Sequence, residues 1–132
     1  LNKSIGYETI YQYDGQQRQT LATYPEENSA QYVYDANHNT IQIIQVSKPG
    51  SAEPNIVESF TYEPNFNRIE THTDPNDNVT IFSYYPNGKL QQIGQPQIDG
   101  NTPQTHFAYN SYGRVETITD AEGTVTKYEY GA

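Results

Sequence analysis

Two aromatic residues one position apart, the second always tyrosine, occur six times in this chain: Tyr11-Tyr13, Tyr32-Tyr34, Phe60-Tyr62, Phe82-Tyr84, Phe107-Tyr109 and Tyr128-Tyr130. From one second tyrosine to the next the step is between 21 and 28 residues. A period that short is one supersecondary unit, too small to bury a core alone, so the chain must be an array in which neighbouring units cover one another. The residues after each pair recur too. An acid stands directly after the tyrosine at Asp14, Asp35 and Glu63, and after a turn come Arg68-Ile69, Lys89-Leu90 and Arg114-Val115. A second acidic turn closes the unit, as in Asp74-Pro75-Asn76-Asp77, Asp99-Gly100 and Asp120-Ala121-Glu122-Gly123.

Within a unit the period is two. Thr126, Tyr128 and Tyr130 alternate with polar residues, as do Val115, Thr117 and Thr119 on the returning segment, and alternation places each set on one face of a strand. Between the segments sit Gly113, Gly88, Asn39 and Asn67, residues that reach positive φ at low cost. A unit of about 22 residues is two strands of roughly 6–7 residues and two tight turns, the dimensions of a hairpin. The expected fold is all-β, with no helix longer than about two turns: an antiparallel meander of about eleven strands forming a curved sheet. The whole chain, 1–132, reads as a single repeat segment of about five and a half units with boundaries near 31, 57, 80, 104 and 126.

Departures from the pattern show which parts are fixed. The second and fourth units lengthen through residues 47–55, where Pro, Gly, Ser and Ala mark a surface loop, and 94–103, both at the second turn, so extra residues enter at one rim. Gln17 stands where the first unit should carry its glycine, and Tyr85 replaces the acid after Tyr84. Those two turns are expected to be less tight.

Composition supports sheet over disorder. The hydrophobic share is only 33% and the net charge is -9, yet 13% of residues are aromatic, with 13 Tyr and no Trp or Met. Rings and β-branched side chains suit a pleated surface. The tyrosine rows are expected to pack as core ladders; on an open face they would instead stack sugar rings. The absence of Cys removes disulfides and thiolate chemistry. Sixteen Asp and Glu against seven Lys and Arg disfavour nucleic acid and anionic lipid, and no apolar run approaches the roughly 18 residues of a membrane span. Because the chain begins at Leu1, it is expected to be a piece of something longer.

Tyr-x-Tyr-Asp followed by Gly-Arg and then Asp-x-x-Gly, carried here by Tyr109, Gly113, Arg114, Asp120 and Gly123 with Gly88 in the preceding unit, resembles the YD repeat of the Rhs family. That family includes Rhs toxins, teneurins, and the B and C proteins of insecticidal toxin complexes. The resemblance covers residues 7–132. It implies a segment of a spiralling β-shell in a secreted or cell-surface protein. The implied partners are the remainder of that shell and an effector domain enclosed by or attached to it; through adhesion, the resemblance also admits a glycan or a cell-surface protein. Family toxins end the shell with a self-cleaving run resembling Asp-Pro-x-Gly-Leu. Here Asp74-Pro75 is followed by Asn76-Asp77-Asn78, in phase with Asp120-Ala121-Glu122-Gly123, so it reads as an ordinary repeat turn.

No residue pattern argues for catalysis, a cofactor or a metal. His38, His72 and His106 are equally spaced but fall at different phases of the repeat. Asp74, Asn76 and Asn78 match the first ligand positions of a calcium loop, but Val79 and Tyr85 stand where its glycine and bidentate glutamate belong, leaving weak calcium binding at the acidic turns the most that this pattern admits. Glu26, Glu27, Glu58, Glu116 and Asp120 are scattered without a paired partner for glycoside hydrolysis, and Ser51 lacks the second glycine of a nucleophile elbow. Cut from its shell, the segment is expected to self-associate through unpaired strand edges.

Overall fold

The computed structural model describes residues 7–131, so residues 1–6 and Ala132 of the repeat segment lie outside the described residues. Among the described residues there is no helix. Eleven strands run in sequence order as one antiparallel sheet: β1 (Ile10–Tyr13), β2 (Gln19–Thr23), β3 (Ser29–Tyr34), β4 (Thr40–Val46), β5 (Ile56–Tyr62), β6 (Ile69–Thr73), β7 (Val79–Tyr84), β8 (Leu90–Gly94), β9 (Gln104–Tyr109), β10 (Val115–Thr119) and β11 (Val125–Lys127). The chain divides into two compact units, Leu1–Phe60 and Thr61–Ala132, with the boundary inside β5.

In the first unit, β1 to β4 are joined by five-residue turns, and the longer loop 47–55 leads from β4 to the start of β5. The Asp14 amide donates to the Arg18 carbonyl and the Gln17 amide to the Asp14 carbonyl; Tyr24–Asn28 and Asp35–Asn39 repeat the same two bonds. Each turn places its fourth residue in the left-handed region: Gln17 at φ 63°, Glu27 at 67° and His38 at 68°. This is a type I turn closed by a left-handed residue, the common three-residue hairpin loop.

The second unit uses the same device. Asp74–Asn78, Tyr85–Lys89, Asn110–Arg114 and Asp120–Thr124 carry the same bond pair, with Asp77, Gly88, Gly113 and Gly123 left-handed. The expectation that Gln17 and Tyr85 would loosen their turns is therefore corrected, since both turns close with bonds of 2.8–3.0 Å. Backbone closure rather than side-chain identity sets the geometry. The Glu63–Arg68 turn is one residue longer, with Asn67 left-handed. The 94–103 insertion folds into a small arm tipped by Asp99-Gly100, both at positive φ, with Ile98 and Asn101 exchanging backbone bonds of 2.8 and 2.9 Å.

A β-bulge recurs where four of the aromatic strands meet their returning partners. Tyr13 pairs with Gln19 but Gln12 with Leu21; the same one-residue slip separates Tyr34 from Val33, Tyr84 from Ser83 and Val115 from Thr117. The extra residues are Thr20, Ile41, Gln91 and Glu116, each the second after the turn. A bulge bends its strand and raises the local twist, and it interrupts the alternation expected through Val115, Thr117 and Thr119. It also ends β11. Thr117 pairs with Lys127, the next rung would fall on the bulged Glu116, and regular pairing stops there, although the Tyr128 amide still donates to the Glu116 carbonyl at 2.9 Å. The continuous strand expected through Tyr130 is thus shortened.

Burial departs furthest from expectation. Among the described residues only Ala22 and Ala30 are buried hydrophobics, facing each other across β2 and β3. The rings form no sealed core, because within each unit one layer of strands has no second layer packed on it.

Candidate functional site: the tyrosine staples between hairpins

In four of the six pairs the first aromatic stands opposite an aliphatic residue eleven positions on: Tyr11 faces Ala22, Tyr32 faces Ile43, Phe82 faces Ile93 and Phe107 faces Ile118. Such aromatic and β-branched cross-strand pairs stabilise a hairpin internally. The second tyrosine does something different. It reaches back to the hairpin before it.

Tyr34 Oη donates to the Gln19 carbonyl at 2.8 Å, Tyr84 Oη to Ile69 at 2.6 Å, Tyr109 Oη to Leu90 at 2.9 Å and Tyr130 Oη to Val115 at 2.7 Å. In every case the acceptor comes directly after a cationic residue, and that cation lies over the ring of the donating tyrosine. Arg18 Cζ is 4.6 Å from the Tyr34 centroid, Arg68 Cζ is 5.7 Å from Tyr84, Lys89 Nζ is 4.9 Å from Tyr109 and Arg114 Cζ is 5.2 Å from Tyr130. Four of the chain's seven Lys and Arg are used in this way, so the small cationic complement is committed largely to joining hairpins. Each pair combines one neutral hydrogen bond, worth about 0.5–1.5 kcal/mol, with a cation–π contact of roughly 0.5–1 kcal/mol at an exposed site. Burial pushes the Tyr84 phenol above its ordinary pKa, against the pull of Arg68.

The cations extend further along the rim. Arg18 Nη1 donates to the Asp35 carbonyl at 3.3 Å, and Lys89 Nζ to the Gly113 carbonyl at 2.8 Å; each acceptor belongs to the next turn. Tyr85, which replaces an acid, donates to the Phe107 carbonyl at 3.0 Å and meets the Tyr109 ring edge-on with centroids 6.1 Å apart. Phe66 lies against Gly88, where a Cβ would come within 3.0 Å of the ring.

The acids expected to mark repeat turns hold those turns shut. Oδ1 of Asp14, Asp35, Asp74 and Asp120 each accepts the amides two and four residues on, at 2.8–3.0 Å, and Asn110 does the same. Glu63 accepts from Asn65, Phe66 and Arg68. In the calcium-like run, the second Asp74 oxygen also takes the Asn78 side-chain amide at 3.0 Å, so both of its oxygens are engaged in the turn. His38 sits in a turn beside Arg18 Nη1 at 3.5 Å, while His72 and His106 lie on β6 and β9.

These bonds lower carboxyl pKa values. The Arg18 amide does most for Asp14, the Asn39 side chain for Asp35 and the Asn78 side chain for Asp74. For Glu63 partial desolvation is the largest influence and pushes upward, but the amides of Asn65, Arg68 and Phe66 outweigh it. A carboxyl held lower in the folded state stabilises above its unfolded pKa and loses that contribution as pH falls through the folded value. The thermal midpoint, followed by circular dichroism, is therefore expected to hold steady down to about pH 5 and to fall below about pH 4. Asp74→Asn is expected to keep its turn, because Asn110 already makes the same clamp, and to soften the acid loss. An identical acid profile in that variant would refute the assignment.

The sequence missed the staples and the bulges. A signal for the staples was present: Arg18 to Tyr34, Arg68 to Tyr84 and Arg114 to Tyr130 are all 16 residues apart.

No protein-family model matches the chain, and no curated protein does. Solved structures do. TcdB2-TccC3-Cdc42 is 22% identical with a TM-score of 0.73, over 85% of this chain and 5% of that one. TcdB2-TccC3 without its hypervariable C-terminal region gives 22% and 0.71 at the same coverage. TcdB2-TccC3-TEV gives 15% and 0.69 over 92% and 7%. The chain shares the fold of a part of these TcdB2-TccC3 chains, in keeping with its resemblance to the YD repeat. This chain spans 5–7% of the length of those chains, and at these identities the likeness is one of fold.

Proposed function

We propose that this chain is a wall segment of an Rhs/YD-repeat shell, in a larger secreted or cell-surface protein that encloses or presents an effector or adhesion domain, and that it performs no chemistry itself. The observation that carries this reading is the staple. The residues that sequence patterning singles out, Tyr34, Tyr84, Tyr109 and Tyr130 with their cations, point at neighbouring backbone rather than at a common cleft. A ligand site gathers polar groups around a space for its occupant; here each group is spent on the next hairpin. The remainder of the shell and the enclosed or attached domain are the partners this implies.

Limited proteolysis of the full-length protein tests the reading. The enclosed domain is expected to resist protease in the native protein and to become accessible when Tyr84→Ala and Tyr109→Ala are introduced together. Equal accessibility in both would overturn it. One observation favours a second reading, glycan binding: Tyr112 is 88% exposed and borders two surface grooves, one with Tyr85 and Tyr109, the other with Tyr128 and Tyr130. Saturable oligosaccharide binding lost in Tyr112→Ala would support that reading.

A further inference from the structure

Among the described residues five turns follow an aromatic pair, and three of them open with an acid: Asp14, Asp35 and Glu63. The other two open with Tyr85 and Asn110 and are consecutive. Between them, in the second unit, lies a groove of about 420 Å³ lined by the rings of Tyr85, Tyr109 and Tyr112 and by Asn87, Lys89 and Asn110. No carboxylate stands among the described residues that line it. The groove on the other side of the Tyr85 turn has comparable rings in Phe66, Phe82 and Tyr84, but Glu63 and Glu70 line it and no cation does. Both walls of the Tyr112 groove are turns flanked on either side by strands of this chain.

The polar groups left over in this groove are donors. Asn87 Oδ1 already accepts the Lys89 amide at 3.1 Å, and Asn110 Oδ1 accepts the amides of Tyr112 and Arg114 at 3.0 Å. Each side chain therefore has only its NH2 to give, and neither NH2 has a partner among the described residues. An ammonium carries three donors, of which Lys89 spends one on the Gly113 carbonyl. Unspent donors around one positive charge, with no carboxylate beside them, select an occupant that accepts hydrogen bonds and is itself negative. We infer that the groove takes an acidic glycan, a sugar bearing a carboxylate, with its ring against Tyr112 and its charge towards Lys89, Asn87 and Asn110. The inference rests on the glycan reading of the Tyr112 groove and adds the charge of the sugar to it. The chain's net charge of -9 does not decide against it. An extended polyanion meets the charge of the whole surface, whereas a short sugar responds mainly to charges within a Debye length of about 8 Å, and the charge lining the groove is that of Lys89.

The full chain is titrated with trigalacturonate and with its methyl ester, the same sugar without the charge, and binding is followed by NMR. The acid is expected to bind saturably and roughly fivefold or more tighter than the ester, and to weaken as salt rises. Asn110→Asp gives this turn the acid that its sister turns carry. Asp14, Asp35, Asp74 and Asp120 already make the same clamp, so the variant is expected to keep the thermal midpoint of the parent chain while losing roughly fivefold or more of its affinity for the acid. Equal affinities for acid and ester, both lost in Tyr112→Ala, overturn the inference and leave the glycan reading standing. Binding of the acid that Asn110→Asp leaves unchanged overturns it by placing the sugar elsewhere on the chain. No binding of either probe also overturns it, and the oligosaccharide test of Tyr112→Ala judges the glycan reading separately.

Discussion

Tyr109→Ala is expected to destabilise the chain by about 3 kcal/mol, from a part-buried ring worth roughly 1.5 kcal/mol by area, a hydrogen bond of about 1 kcal/mol and a cation–π contact of about 0.5 kcal/mol. The loss is shared between hairpins. Without the ring, Lys89 loses its seat, the Tyr85 edge contact disappears, and the Leu90 carbonyl loses its donor. Tyr109→Phe separates these terms: it keeps the ring and removes only the hydroxyl, so about 1 kcal/mol should go. Tyr112→Ala supplies the contrast, since that ring is 88% exposed and its removal should change stability by less than about 0.5 kcal/mol. Urea unfolding of the three variants decides the matter. If Tyr109→Ala were as mild as Tyr112→Ala, the staples would be decoration on a sheet held by backbone pairing alone.

The legible and illegible parts of this molecule divide along physical lines. Alternation and turn residues report local backbone, and they led to a meander of hairpins because Phe107-x-Tyr109 and Thr117-x-Thr119 have period two and Gly113 sits between them. The left-handed residues at Gln17, Glu27, His38 and Asp77 were hidden. None of these is glycine, and each turn is held by backbone closure, reinforced at Asp14, Asp35 and Asp74 by a carboxylate clamp. A bulge is hidden for a related reason: Glu116 adds one residue without breaking the polar pattern around it. The staples lay beyond any single-strand reading, since they couple residues one hairpin apart. The insertion at 94–103 stretches Lys89 to Tyr109 from 16 residues to 20 and masks the regularity. Ring burial was misjudged because composition specifies sheet but not how many layers pack together.

Gly113→Ala is expected to cost about 2–3 kcal/mol, more than the left-handed penalty of about 1–2 kcal/mol accounts for. Gly113 has φ 77°, which a side chain tolerates poorly, and a Cβ there would run into Lys89 Nζ. The ammonium must then leave both the Gly113 carbonyl and the face of the Tyr109 ring, so a turn substitution also opens the staple. Gly123→Ala isolates the backbone term. Its φ is 83° and nothing lies within 4 Å of the added methyl, so it should cost only the left-handed penalty of about 1–2 kcal/mol. A double variant distinguishes strain from lost contact. With Lys89→Met in place the ammonium is already gone, and the excess cost of Gly113→Ala over Gly123→Ala should shrink because part of that loss is counted once. Equal costs at the two glycines, with or without Lys89, would mean that the cation does not tie neighbouring turns together.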